Sequence, residues 1–252
     1  MGAIGGTSPY SWSITGTLPA GLSLNGSTGG ISGTPTSAGT SSFSIQVHDS
    51  GGFSVSASYS LTITNNLDLV VADGDSITFG QGATTPYTGL LSLNGGPWSI
   101  INDGISGELL ATMVANAPTK IDPLYANREG ANIVVIWGGT NDFDQSATAA
   151  DVYYDYVTYC LARHAAGWKV IVATKLSAQG QEADKDALNP LILANSSGCF
   201  DAIADFTGTP LGVDGGYANT TWFQSDGVHP TQAGITTYEA PIISAAINSL
   251  VP

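Results

Sequence analysis

The chain has 252 residues and a mass of 25.7 kDa, enough for one or two domains. Six Lys+Arg against 20 Asp+Glu give a formal net charge of −14, which argues against nucleic acid and anionic membrane as partners, because both are held by basic surface. Only 10% of residues are charged while 42% are hydrophobic, a balance that folds, and no apolar run approaches the roughly 20 residues that span a bilayer. No signal peptide is visible. Met1-Gly2-Ala3-Ile4-Gly5 reads as an artificial start from which a natural leader has been cut away.

Residues 1–66 hold no Lys, Arg or Glu, and Asp49 is their single acid. Every base and every other acid lies beyond. A shift that sharp puts a domain boundary at Asn65-Asn66, dividing the chain into 1–66 and 67–252. The first part reads as all-β. Pro19-Ala20-Gly21 and Gly33-Thr34-Pro35-Thr36 punctuate short strands, and Phe43, Ile45 and Val47 alternate along another. Asp49-Ser50-Gly51-Gly52 is hairpin-turn chemistry. After it Phe53, Val55, Ala57, Tyr59, Leu61 and Ile63 alternate with Ser and Thr, which predicts a strand with these apolar residues on the core face. His48 alternates outward from Val47 and is expected at the surface. Several short strands with regular turns imply a small β-sandwich.

The second part alternates strand and helix signals. Strands are expected at 68–72, 98–101, 132–137 and 169–173. Helices are expected at 107–115, 148–167 with Thr148 as cap and Gly167 as stop, 183–196 and 231–250. That order implies a three-layer α/β domain with a parallel sheet, whose ligands bind beyond the carboxyl ends of the strands. Of Tyr153, Tyr154, Tyr156 and Tyr159, too close in sequence to share one helix face, some must be exposed. His164 near a helix end suits the dipole. Cys160 and Cys199 are compatible with one disulfide or with two buried thiols.

Four blocks could carry chemistry, and all sit at strand ends or in late loops. Asp73-Gly74-Asp75-Ser76 puts a serine just past the first strand, as an exposed nucleophile or as a plain helix cap. Ser106-Gly107 precedes a helix and could offer a backbone N–H. Gly138-Gly139-Thr140-Asn141-Asp142 closes a buried strand with a side-chain amide. Asp226-Gly227-Val228-His229 places a carboxylate within reach of an imidazole in one loop. Asp142 and Asp144 suit a solvated loop better than a Ca²⁺ site. Trp222-Phe223 either lines a substrate pocket or simply packs.

Two resemblances follow from these residues. Pro9-Tyr10-Ser11-Trp12, Leu18-Pro19-Ala20-Gly21-Leu22 and Gly30-Ile31-Ser32-Gly33-Thr34-Pro35 together resemble the immunoglobulin-like repeat of bacterial and phage surface proteins. The four blocks of the second part, in order, resemble the signature set of the SGNH family of GDSL-type hydrolases. The resemblance implies a multidomain chain, an immunoglobulin-like sandwich followed by an SGNH-like α/β/α domain. It implies Ser76 as nucleophile, His229 as base and Asp226 as acid. Its oxyanion hole falls on Ser76, Gly107 and Asn141, with Gly104 as rival to Gly107. It implies no cofactor and no metal. The function expected is a secreted or surface-displayed carboxylic ester hydrolase for short acyl, foremost acetyl, esters or acylated glycans, with neither nucleic acid partner nor membrane insertion. The competing readings are a catalytically silent binding module and an adhesion protein working through its β-domain.

Overall fold

The computed structural model describes residues 2–36, 39–63, 68–125 and 130–251. Two compact units, Met1–Asn66 and Leu67–Pro252, divide the chain. The boundary expected at Asn65-Asn66 lies outside the described residues.

The N-terminal unit is an immunoglobulin-like β structure. Strands β1 (Ser11–Gly16), β4 (Gly39–His48) and β5 (Ser54–Ile63) form one antiparallel sheet in the order β1-β4-β5. Strands β2 (Leu22–Leu24) and β3 (Ile31–Gly33) form a small second ladder. The hairpin at 49–52 joins β4 to β5 in the register Val47↔Val55 and Ile45↔Ala57. Asp49 fixes it, accepting from the N–H groups of Phe53 and Thr7. Phe43 and Ile45 of the central strand are buried. The expected core face of β5 is not one, since Phe53 is 78% exposed and Val55 67%. β5 is an edge strand, and the three-residue strands of the second ladder are too short to cover it. The loop before β3 spends itself on β1 instead, with Gly29 lying against the Trp12 ring. His48 is at the surface.

The second unit is a three-layer α/β domain. Strands β6 (Asp68–Gly74), β7 (Trp98–Gly104), β8 (Asn132–Trp137), β9 (Lys169–Ala173) and β10 (Ala202–Ala204) form a parallel sheet in the order β10-β9-β8-β6-β7. Because strand residues alternate sides, the central strands feed two cores. Leu69, Val71, Val134, Ile136, Val170 and Val172 pack under α2 (Leu110–Lys120), α4 (Ala149–Ala165) and α5 (Glu182–Ala194). Val70, Ala72, Ile133, Val135, Ile171 and Ala173 pack against the C-terminal helical stretch. That stretch begins at Gln232–Gly234, capped by Thr231, passes through a π turn at Ile235–Glu239 and ends as Ala240–Asn248.

One helix differs from expectation and another matches it. The helix expected at 107–115 starts at Leu110, because Gly107 takes φ +81° and cannot be helical. The helix expected at 148–167 is α4, closed by a capping box between Thr148 and Asp151 and stopped by left-handed Gly167. Cys160 and Cys199 are free buried thiols, and Cys160 donates to the Cys199 carbonyl. His164 is paired with Asp201 at 2.7 Å. Tyr156 and Tyr159 are buried while Tyr154 is exposed. No helix among the described residues is long and apolar enough to cross a membrane.

Candidate active site

The chain leaves β6 for β7 on one side and later returns to β8 on the other. The carboxyl ends of β6 and β8 therefore flank the topological switch point, where open α/β sheets bind ligands. Ser76 follows β6 and Asn141 follows β8.

Ser76 is the first residue of the short helix α1 (Ser76–Phe79). The cap is Asp75, whose Oδ1 accepts from the Ile77 N–H at 2.9 Å. With capping assigned to its neighbour, the Ser76 hydroxyl is left to the imidazole. Two glycines allow the turn to sit this close to the sheet. A Cβ on Gly74 would lie 2.5 Å from the Trp137 carbonyl oxygen, and one on Gly104 would lie 2.3 Å from the Phe79 nitrogen. Gly104 is thus a packing glycine at the end of β7. Gly107 meets nothing within 4 Å and is required only by its positive φ.

His229 Nε2 lies 2.7 Å from Ser76 Oγ, and Nδ1 lies 2.8 Å from Asp226 Oδ2. The other oxygen of Asp226 accepts the backbone N–H of Val228 and of His229. Partial burial pushes this carboxyl up. The bonds from His229 and Val228 outweigh it and hold Asp226 below the usual carboxylate range. Asp226 is thus an anion at neutral pH, and its loop is folded around it.

Asn141 sits in the second position of helix α3 (Thr140–Asp144). Its Nδ2 donates to the Glu108 carbonyl at 3.0 Å, leaving the second amide proton for other use. Both oxygens of Asp142 accept the Leu110 N–H, at 3.0 and 3.1 Å. Asp142 therefore caps α2 from outside, in place of the solvated loop expected of it, and burial raises its pKa. Asn141 and Asp142 together clamp the segment that carries Gly107. Asp144 accepts from Gln181 Nε2, and among the described residues no group of three or more His, Cys, Asp or Glu is placed to hold a metal ion.

Trp222 packs edge-to-face on Tyr238, whereas Phe223 is wholly inside the core. Of the expected pocket pair only Trp222 has surface to offer a substrate.

Beneath the site lie groups that sequence reasoning missed. Asp75 is buried, and burial pushes it up to about 6. Lys175 is buried too and is pushed down to about 8, with Asp75 opposing the shift. Tyr156 donates to the Gly138 carbonyl and accepts the Gly138 N–H, steadying the turn before Asn141. A lone Lys in an apolar strand end and a Tyr in a helix carry no sequence signal of such partners.

A family model described as "GDSL-like Lipase/Acylhydrolase family" matches residues 72–235, and one described as "Putative Ig domain" matches residues 2–64. None of the curated proteins is detectably similar to the chain. Among solved structures, TesA superposes with a TM-score of 0.60 at 22% identity, covering 73% of this chain and 100% of that one. A lipolytic G-D-S-L family protein from Veillonella parvula gives 0.56 at 18%, covering 69% and 94%. The acetylxylan esterase Axe2 from Geobacillus stearothermophilus gives 0.55 at 18%, covering 73% and 94%. At these identities the likeness is one of fold.

Proposed function

Because the chain belongs to the GDSL-like lipase/acylhydrolase family, we propose that it is a serine carboxylic ester hydrolase working through Ser76, His229 and Asp226. The observation that carries this is the unbroken chain from Ser76 Oγ to His229 Nε2 at 2.7 Å and from His229 Nδ1 to Asp226 at 2.8 Å. His229 takes the hydroxyl proton as Ser76 Oγ attacks the ester carbonyl. Asp226, ionised at neutral pH, fixes the imidazole tautomer and stabilises the imidazolium. The backbone N–H groups of Ser76 and Gly107 and the free amide proton of Asn141 receive the oxyanion. Such donors supply the largest single share of the rate in most acyl transfers. The imidazolium then protonates the departing alcohol, and the acyl group stays on Ser76 Oγ. Water, deprotonated by His229, repeats the attack and releases the acid.

The substrates proposed are acetyl and other short acyl esters, including acetylated glycans. Three supports point this way: a site on short strand-end loops, a sequence without a long apolar lid segment, and a fold shared with an acetylxylan esterase. The immunoglobulin-like unit, common to surface proteins, supports placing the enzyme outside the cell. The proposed substrate class excludes nucleic acid, in keeping with the charge of −14. A panel of p-nitrophenyl esters from acetyl to palmitoyl, with acetylated xylan alongside, tests both parts. Turnover should fall with acyl length and vanish in Ser76→Ala. Faster hydrolysis of palmitate than acetate would refute the chain-length assignment.

A further inference from the structure

Three carboxylates converge on one ammonium beside the proposed oxyanion hole. Asp73 is the last residue but one of β6, three residues before Ser76, Asp103 is the last but one of β7, and Glu108 follows Gly107. Lys120, at the last turn of α2, places Nζ 3.0 Å from Asp103 Oδ2, 3.7 Å from Glu108 Oε2 and 3.8 Å from Asp73 Oδ1. It also donates to the Asp103 carbonyl at 3.1 Å. These same three oxygens are buried and take no hydrogen bond from elsewhere. The other oxygen of Asp73 accepts from Tyr159 Oη at 2.7 Å. Arg163 lies over the Tyr159 ring, but its guanidinium is spent on Asp122. Among the described residues Lys120 is the one cation paired with any of the three acids.

Resting on the ester-hydrolase reading above, we propose that Lys120 is a positioning residue for the oxyanion hole, tying Glu108 to the ends of β6 and β7 and so fixing the aim of the Gly107 N–H. The segment between Gly104 and Leu110 is anchored along its backbone. Ile105 N–H donates to the Gly74 carbonyl at 2.8 Å, the Glu108 carbonyl accepts from Asn141, and Leu110 N–H is held by Asp142. Gly107 has open space around it and is not held by packing. Two side chains hold this middle stretch: the Ser106 hydroxyl donates to Gln81, and the buried Glu108 carboxylate ties it to the sheet through its partner Lys120. Remove the ammonium and three anions face one another in a poorly solvated space. Asp73 and Asp103 stand on strands, so the relief falls to Glu108, which leaves and takes Gly107 with it. Protonation is the other relief. Burial pushes Asp73 up to about 6, with Asp103 and Glu108 adding to the shift and Tyr159 and Lys120 opposing it. Loss of Lys120 raises it further, so acid restores what the substitution removes.

The test compares wild type, Lys120→Met and Lys120→Arg in p-nitrophenyl acetate hydrolysis from pH 5.5 to 8.5. Hydrogen exchange of peptides spanning 104–110 and 149–165 is followed in parallel. Lys120→Met should lower kcat roughly ten- to a hundredfold at pH 8 with little change in KM, as expected of a misaimed donor. The ratio of variant to wild-type kcat should already climb as pH falls toward 6, because without Lys120 the Asp73 carboxyl takes its proton above the value of about 6 it has in wild type. Lys120→Arg should keep most of the rate. Exchange should quicken at 104–110 and not at 149–165. A pH-independent ratio, a pure KM effect or unchanged exchange would overturn the proposal. Should Lys120→Met not fold, Glu108→Gln decides the same point by the same kcat loss and exchange, or by neither. If wild type turns over no ester, the hydrolase reading fails, and the exchange comparison still decides whether Lys120 holds the loop.

Discussion

Removal of the Asn141 amide separates two effects that the geometry combines. In Asn141→Ala the proposed oxyanion donor is lost, and so is the 3.0 Å bond to the Glu108 carbonyl. The first loss belongs to the transition state and should lower kcat by roughly 10²–10³. KM should hardly move, because the carbonyl oxygen gains its charge only during attack. The second loss belongs to the folded state. One neutral hydrogen bond is worth about 0.5–1.5 kcal/mol, which for a domain of this size lowers Tm by roughly 1–6 °C. Asp142 still holds Leu110, so the segment bearing Gly107 should stay largely in place. Initial-rate kinetics on p-nitrophenyl acetate and thermal melts of the same preparation measure both. A rise in KM at unchanged kcat would mean that Asn141 binds ground-state substrate. A kcat within threefold of wild type in folded protein would remove Asn141 from the oxyanion hole.

Other perturbations test neighbouring parts. Asp226→Asn should cost less kcat than His229→Ala, since Asp226 orients the ring and does not accept the proton; equal losses would contradict that division. Asp73→Asn should stabilise the fold far more at pH 8 than at pH 4.5. The carboxyl is raised in the folded state, so its ionisation between its unfolded value near 3.8 and about 6 destabilises the native protein, by up to about 3 kcal/mol at high pH. Melting curves of both proteins at the two pH values read the difference, and a constant Tm gap would refute it. Gly104→Ala should disrupt α1, its Cβ meeting backbone at 2.3 Å, whereas Gly107→Ala meets no atom and should cost only about 1–2 kcal/mol for its φ of +81°. Chemical denaturation ranks the two, and the reverse order would count against the packing described. A chain beginning at Leu67 should fold and keep kcat on a soluble aryl ester, since every proposed catalytic group lies beyond it; loss of turnover in folded protein would show that the β-unit shapes the site.

The α/β unit was legible because its signals are local and strong. The continuous β-branched run at 132–137 could only be a buried strand, and Thr148 with Asp151 and Gly167 bracket α4 by cap chemistry alone. The site blocks were legible as short motifs at strand ends. The start of α2 was misplaced because its cap, Asp142, is 32 residues away in sequence. The face of β5 was misassigned for a related reason. Alternation says which residues share a face, but not whether another layer lies over it, and here Phe53 and Val55 are left bare. Lys120, Lys175 and Tyr159 carry no motif, and their roles come from the acids that the fold brings to them.

The central claim is that Ser76 is the nucleophile. It is tested most directly by reacting the protein with a fluorophosphonate, measuring the intact mass and mapping the modified peptide while ester turnover is followed. One phosphonyl group per chain is expected, on Ser76, appearing in step with the loss of turnover and absent from Ser76→Ala. A label on another residue that abolishes turnover, or turnover that survives full modification of Ser76, would contradict it.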